Sequence, residues 1–419
     1  MKTLAIIAEY NPFHNGHQYM LSQAKKLTHA DYSIAIISGS FLQRGQAAMW
    51  NKYQRASMAV SSGIDLCIEL PFAYATGSAH DFAYGAVGIL NSLNTVDYLC
   101  FGAETANLEL LSAIADITLN EPEEYRIQLK ANLQSGISYA AARANALVSY
   151  CTKEKLCNYE NLNSVITEPN NILAIEYLCA LKKHNSQIKP IVIKRKGSNY
   201  HEHVLKDTIC SAYAIRKELD SLSGFNDKIR DFVPDYVYSS IRDSFGISSP
   251  VSEDDITPFL QSCLIKNSNF CACDINSDLE DKIKKLPCCI SFSDAVFALK
   301  SKDINLSRIS RGLIHLILDY KIPDRELFIN NGYAFYANIL SFKKNSSGLL
   351  KNINLNGKIP LITKKADFDK YILQYDINKN AAQRMWELDI KSTGLYNCMV
   401  YNRYGTILPN DFNISLPII

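Results

Sequence analysis

Leu4-Ala5-Ile6-Ile7-Ala8, continued by Glu9-Tyr10-Asn11-Pro12-Phe13 and then His14-Asn15-Gly16-His17, decides how the rest of the chain is read. Five apolar residues without polar alternation predict a strand covered on both faces. The Pro-containing segment predicts a turn, and residues 17–27 carry a helical pattern. A buried strand that passes through a turn into a helix start aims amide groups and the positive end of the helix dipole at one point, which suits an anion. Imidazoles three residues apart add donors for neighbouring phosphate oxygens. Gly16 leaves the backbone between them open to a nucleoside. The expectation is a nucleoside triphosphate site, against the plainer reading of two histidines that merely cap a helix.

The same rhythm runs outward from this point. Residues 33–38, 65–70, 97–101 and 189–194 are short apolar or β-branched runs, and helical patterns occupy 52–62, 78–93, 108–119, 138–150 and 171–183. Alternation of this kind predicts an α/β fold, a doubly wound, Rossmann-like parallel sheet with its ligand at the carboxyl ends of the strands where their order reverses. At 419 residues the chain exceeds one ordinary core. The expected division is a catalytic domain over 1–225, closed by a helix at 212–219, and a helix-rich region with some strands over 226–419. In that second region helical patterns stand at 225–232, 293–301 and 310–320.

A formal charge of +2 excludes a uniformly basic nucleic-acid binder while allowing a basic face. The 12 cysteines are spread along the chain, several inside apolar runs such as Asp65-Leu66-Cys67-Ile68-Glu69, a usage that suits a reducing cytoplasm. The apolar run after Lys2 is broken by Glu9, too short for a secretion signal. No stretch approaches the ~20 apolar residues that span a bilayer, so no membrane partner is expected. Cys271, Cys273, Cys288 and Cys289 lie close together but without the paired spacing of a zinc ribbon, and no metal site is expected there. His80, ahead of an Ala- and Gly-rich helix, reads as a packed or capping histidine.

Further polar clusters fall at strand ends. Gly39-Ser40-Phe41-Leu42-Gln43-Arg44-Gly45 follows the second strand, and Gly102-Ala103-Glu104 the fourth. Asn170-Asn171 opens a helix, Lys194-Arg195-Lys196-Gly197 ends the fifth strand, and Ser211-Ala212-Tyr213-Ala214-Ile215-Arg216 starts the domain's last helix. Three successive cations beside a strand end suit a polyphosphate. In the second half, lysines and arginines including Lys364, Lys365 and Arg403 occur with Tyr401 and Tyr404 nearby, a mixture that can pair phosphates and stack a base. Lys364, Lys365 and Arg403 are therefore the candidate nucleic-acid contacts, for tRNA if the resemblance described next holds.

Taken together, these residues resemble a known family. His-x-Gly-His after a first strand is the signature of the adenylyl-transferring nucleotidyltransferases. The stretches 7–17, 38–45, 69–71, 101–104, 169–173, 194–195 and 211–216 are similar, in order and wording, to the tRNA(Met) cytidine acetate ligase family. The resemblance implies an enzyme that uses ATP and acetate to acetylate the exocyclic amine of the wobble cytidine of elongator tRNA(Met). It implies that ATP is held by Ile7-Ala8-Glu9-Tyr10-Asn11-Pro12-Phe13-His14-Asn15-Gly16-His17-Gln18-Tyr19-Met20, by Gly102, by Asn170 or Asn171, by Arg195, and by Ser211 and Arg216. His14, His17 and Arg195 are the implied catalytic groups. Mg2+ would accompany the pyrophosphate rather than sit in a fixed protein site. Residues 196–201 and Tyr213 are bulkier or more polar than that pattern expects. The alternatives are an adenylyltransferase that makes a small nucleotide cofactor, and a non-catalytic RNA-binding protein.

Overall fold

The computed structural model describes residues 1–137, 139–154, 162–195, 210–219, 224–266, 269–301 and 304–419. In chain order the elements that matter for the site are β1 (Thr3–Ala8), α1 (Asn15–Thr28), β2 (Tyr32–Ser38), α2 (Lys52–Ser61), β3 (Leu66–Leu70), α3 (Ala79–Leu93), β4 (Tyr98–Ala103), α4 (Pro169–Lys183), β5 (Lys189–Lys194), α5 (Ala212–Leu219), α6 (Leu306–Ile317), β6 (Ala337–Phe342), β7 (Leu361–Ile362) and α7 (Lys379–Tyr404). The first five strands are parallel and lie in the order β5-β4-β1-β2-β3, so the strand order reverses at β1, between β4 and β2. This is the doubly wound arrangement that the alternating pattern predicts, with its switch point beside the His14–His17 turn.

The pleat explains why the strands show no polar alternation. Leu4 and Ile6 of β1 point into one core layer with Leu21 and Ala24 of α1 and Ala56 and Met58 of α2. Ala5 and Ile7 point into the other, with Val87 and Leu90 of α3 and Ile175 and Leu178 of α4. Both faces are buried, so Leu4 to Ala8 are all apolar.

The change of rhythm near residue 225 does not mark off a separate core. β6 pairs antiparallel with β3, and β7 parallel with β6, so the second half supplies two strands to the first half's sheet. Leu313 of α6 and Met385 and Leu388 of α7 share the core layer of Ala5 and Ile7. Residues 229–241 join the opposite layer through Ile229, Val237 and Ile241. Across the expected boundary at 225, the helix-rich region packs onto both faces of the sheet and extends it.

Candidate active site

A cleft of about 540 Å³ opens at the carboxyl ends of β1, β4 and β5, within the size range of small-molecule sites. Its floor is Ile7 and Ala8 of β1, Phe101 and Gly102 of β4, and Ile193 and Lys194 of β5. A Cβ on Gly102 would come within 3.2 Å of the Arg195 side chain. The glycine thus lets that side chain lie across the strand end.

The turn after β1 is fixed by backbone acceptors. Arg55, fully buried on α2, donates to the carbonyl of Glu9 at 2.6 Å and to that of Ser38 at 2.9 Å, tying the ends of β1 and β2 together. Tyr10 takes a left-handed conformation with φ of 49°, uncommon for a bulky residue, and packs its ring against Phe13 and His17. Asn11 accepts from the Met49 amide through its side chain and from Arg216 through its carbonyl.

His14 is the N-cap of α1 and His17 its third residue. The Gly16 amide donates to His14 Nδ1 at 3.0 Å, and the His14 amide donates to His17 Nδ1 at 3.3 Å. This is a reciprocal cap, and it sets chemistry as well as structure. With both Nδ1 atoms accepting, each neutral ring carries its proton on Nε2. Burial, then the positive charge of Arg195 and Arg216, pushes His14 down to about 3. Burial, then His14 and Arg195, drives His17 well below its ordinary value. The pair are neutral Nε2–H donors with ring centroids 3.8 Å apart and planes tilted by 32°. The Gly16 and His17 amides are occupied by His14 Nδ1 and His14 carbonyl. At these two positions the donors offered to a ligand are imidazole N–H groups, in place of the helix amides the sequence pattern suggests.

Cations surround them. Arg195 donates to Asn170 Oδ1 at 3.4 Å and lies 3.8 Å from Glu104. Glu104 accepts from the side chain of Asn170 and the amide of Asn171. Ser211 caps α5 by accepting from the Ala214 amide, and Arg216 lies one turn on, over the ring of Tyr213. Lys194, Arg195, Arg216, Arg44 and Arg311 all line the cleft, whereas Glu9 is the single acid among the described lining residues.

Of the residues expected to hold ATP, Ile7, Ala8, Glu9, Tyr10, Asn11, His14, Gly16, His17, Tyr19, Met20, Gly102, Asn170, Arg195, Ser211 and Arg216 line the cleft. Pro12, Phe13, Asn15, Gln18 and Asn171 do not. Phe13 is core, and Asn15 donates to the Asp231 carbonyl. Asn171 is fully buried and accepts from the Thr105 amide, so Asn170 stands at the cleft and Asn171 behind it as a brace. Lys196 to His201 lie outside the described residues. Sequence reasoning missed Phe82, Leu173 and Tyr177, which form an apolar wall, and Asn305, Ser307 and Arg311 around the start of α6. The α6 residues carry a helix-start signal in Asn305, which caps the helix. Nothing local says that it faces a strand end some 200 residues earlier.

Three expected tRNA contacts fare differently. The Lys364 side chain is largely exposed. Lys365 is buried and donates to Asn338 Oδ1 and the Ile339 carbonyl, so it offers no surface charge to a phosphate, a correction to its expected role. Arg403 is half-exposed and held by Asp255 at 3.0 Å. Among the described residues no three His, Cys, Asp or Glu side chains gather as a metal set, the cysteines are unpaired, and no helix is long and apolar enough to cross a membrane. His80 stacks on Tyr84 and pairs with Glu176.

Comparison with known proteins extends this geometry to the whole chain. Residues 1–407 match the family model described as HIGH Nucleotidyl Transferase. A tRNA(Met) cytidine acetate ligase of Thermoanaerobacter sp. (strain X514) is 39% identical over 409 residues, 96% of each chain. That of Clostridium kluyveri is 37% identical over 435 residues, covering 100% of this chain and 99% of its own. The crystal structure of Thermotoga maritima TmcAL without ligand has a TM-score of 0.93 at 30% identity, covering 100% of both chains. The same protein bound with alpha-thio ATP has a TM-score of 0.90 at 29% identity, covering 100% of this chain and 99% of that one. With the histidine pair, the cation-lined cleft and matches of this extent, the chain belongs to the tRNA(Met) cytidine acetate ligase family of HIGH nucleotidyl transferases.

Proposed function

We propose that this protein activates acetate with ATP and transfers the acetyl group to the exocyclic amine of the wobble cytidine of elongator tRNA(Met), in the cytoplasm where that tRNA is found. The observation that carries the reading is the pair of Nε2–H imidazoles set among an excess of cations at the switch point, in a chain matched end to end by ligases of this name.

Acetate is a poor acyl donor, so its carboxylate oxygen first attacks the α-phosphorus of ATP. The bond to the β-phosphate bridging oxygen breaks, and pyrophosphate leaves from acetyl-adenylate. Negative charge builds on the α-phosphate oxygens and the departing pyrophosphate. Neutral His14 and His17 donate to those oxygens without having to release a proton, and their fixed tautomers cost no reorganisation during the step. Arg195 and Arg216 balance the pyrophosphate charge, and Asn170 steadies Arg195. Mg2+ held by the triphosphate oxygens of ATP, which it prefers, would help to neutralise the pyrophosphate. In the second step the cytosine N4 attacks the acetyl carbonyl, and AMP leaves. For the tRNA body, Lys364 remains the candidate phosphate contact.

Mass spectrometry of nucleosides after incubation with ATP, labelled acetate and bulk tRNA tests the whole reading. Label in N4-acetylcytidine of the elongator tRNA(Met) supports it. Unmodified tRNA together with a new small nucleotide supports the cofactor-synthesis alternative.

A further inference from the structure

Transfer of acetyl to an aromatic amine forms a C–N bond, breaks the C–O bond to AMP, and obliges the nitrogen to give up one proton. AMP takes the electrons of the broken bond, while the proton needs a separate acceptor. We infer that Glu9 accepts it. The inference rests on the acetyl-transfer reading above and adds a residue to its second step.

The other groups in the cleft are poorly suited to the role. Each histidine already spends its Nδ1 lone pair on a backbone amide and presents only an N–H. The arginines and Lys194 are cations with no lone pair to offer. Tyr10, Tyr19, Tyr177 and Tyr213 present phenols and Cys210 a thiol; burial holds the protons of Tyr10, Tyr177 and Cys210 more firmly, and the negative charge of Glu9 adds to this at Tyr177. Glu9 is the only carboxylate among the described lining residues.

Its placement is specific as well. Glu9 follows β1 directly at the switch point, with its carbonyl fixed by Arg55. Its Oε1 accepts from the Gln43 amide at 3.0 Å, which orients the carboxylate from the 39–45 loop. One carboxylate oxygen is thus anchored in the wall of the cleft, which Glu9 lines. That loop is docked on α6, where Ser310 Oγ donates to the Gly45 carbonyl. A Cβ on Gly45 would lie 2.4 Å from the Arg311 amide, so the two backbones are in close contact. The wall bearing Gln43 and Arg44 is thereby continuous with Asn305, Ser307 and Arg311 of the second half. Glu9 thus stands beside a polar and basic rim that can take the phosphates of the nucleotide acceptor.

The test is Glu9→Gln, which keeps the shape and the oxygen that accepts from Gln43 but cannot take up a proton. Two rates are compared with those of the wild type: acetate-dependent exchange of labelled pyrophosphate into ATP, which reports the first step, and single-turnover acetylation of tRNA. Transfer should fall by roughly 10²-fold or more, the scale of a lost general base, and at least tenfold further than exchange does. With Glu9→Ala, added formate should restore part of the transfer rate by supplying a small carboxylate. Equal losses in both steps, or transfer at the wild-type rate in Glu9→Gln, would overturn the inference while leaving the ligase reading standing. A wild-type protein that makes no N4-acetylcytidine would overturn the ligase reading, and the role of Glu9 with it.

Discussion

Two polar regions lie at the sheet, and they treat charge in opposite ways. In the seam where the second half meets β3, Lys52 is fully buried with its ammonium 2.9 Å from both oxygens of Glu69 and 3.0 Å from Asp411. Tyr53 donates to Asp411, and Asn338 donates to Glu69. Although burial opposes it, the charges of Asp411 and Glu69 raise the Lys52 pKa and keep it protonated. Nearby, burial and then Glu69 push Asp389 up to about 8, while burial and then Lys52 bring Lys365 down to about 8. In the cleft, by contrast, five cations share one lining acid, with Glu104 and Asp274 reaching Arg195 and Arg311 from outside. The seam is neutralised from within the chain and holds the two halves together. The cleft carries positive charge that a polyphosphate can balance.

That contrast can be broken most forcefully in the seam. Lys52→Met leaves Glu69 and Asp411 buried without their cation, and should cost about 3–5 kcal/mol of stability, read as a shift in the denaturant midpoint. A loss below 1 kcal/mol would mean that the seam is solvated or that its carboxylates are already protonated. In the cleft the expected cost falls on rate rather than on stability. His17→Ala should lower acetyl-adenylate formation by about 10²-fold or more, as loss of a preorganised donor does, with a far smaller change in midpoint than Lys52→Met. Near-normal rates would remove His17 from the mechanism.

Acid provides a sharper separation. The His14 pKa is about 3 in the folded protein, against about 6.5 in an unfolded chain. Below pH 6.5 the unfolded chain therefore binds a proton that the folded one refuses, and stability must fall with pH. The contribution is fully present above pH 6.5 and is lost toward pH 3, at a slope of up to about 1.4 kcal/mol per unit. His14→Asn keeps a helix cap and should flatten the acid limb by close to one proton. An unchanged slope would mean that His14 titrates alike in both states.

The smallest expected effect concerns adjacent lysines. Lys364→Ala should weaken tRNA binding and reduce its salt dependence by about one unit of slope. Lys365→Ala should instead destabilise the fold and leave that slope alone. Equal slopes for both variants would move the tRNA contact elsewhere.

What was legible in the sequence follows from how local each signal is. The strand 4–8, the turn and the histidine pair were readable because the motif is contiguous and the strand is buried on both faces. The tautomers were not, since they depend on which amide each Nδ1 meets. β7 escaped because it is only two residues long, and β6 because it pairs with β3 across some 270 residues, a partnership without local trace. Lys365 looked like a surface cation because a lysine pair in a polar stretch usually is one. It is buried because Asn338 and the Ile339 carbonyl of β6 receive its ammonium. Asn170 and Asn171 were indistinguishable in sequence, and the first turn of α4 sends them to different neighbours.

The most direct test of the account begins without RNA. With protein, ATP and acetate alone, labelled pyrophosphate should exchange into ATP only when acetate is present, and AMP should accumulate once tRNA is added. Release of ADP and inorganic phosphate, or exchange indifferent to acetate, would contradict activation of acetate as an adenylate in this cleft.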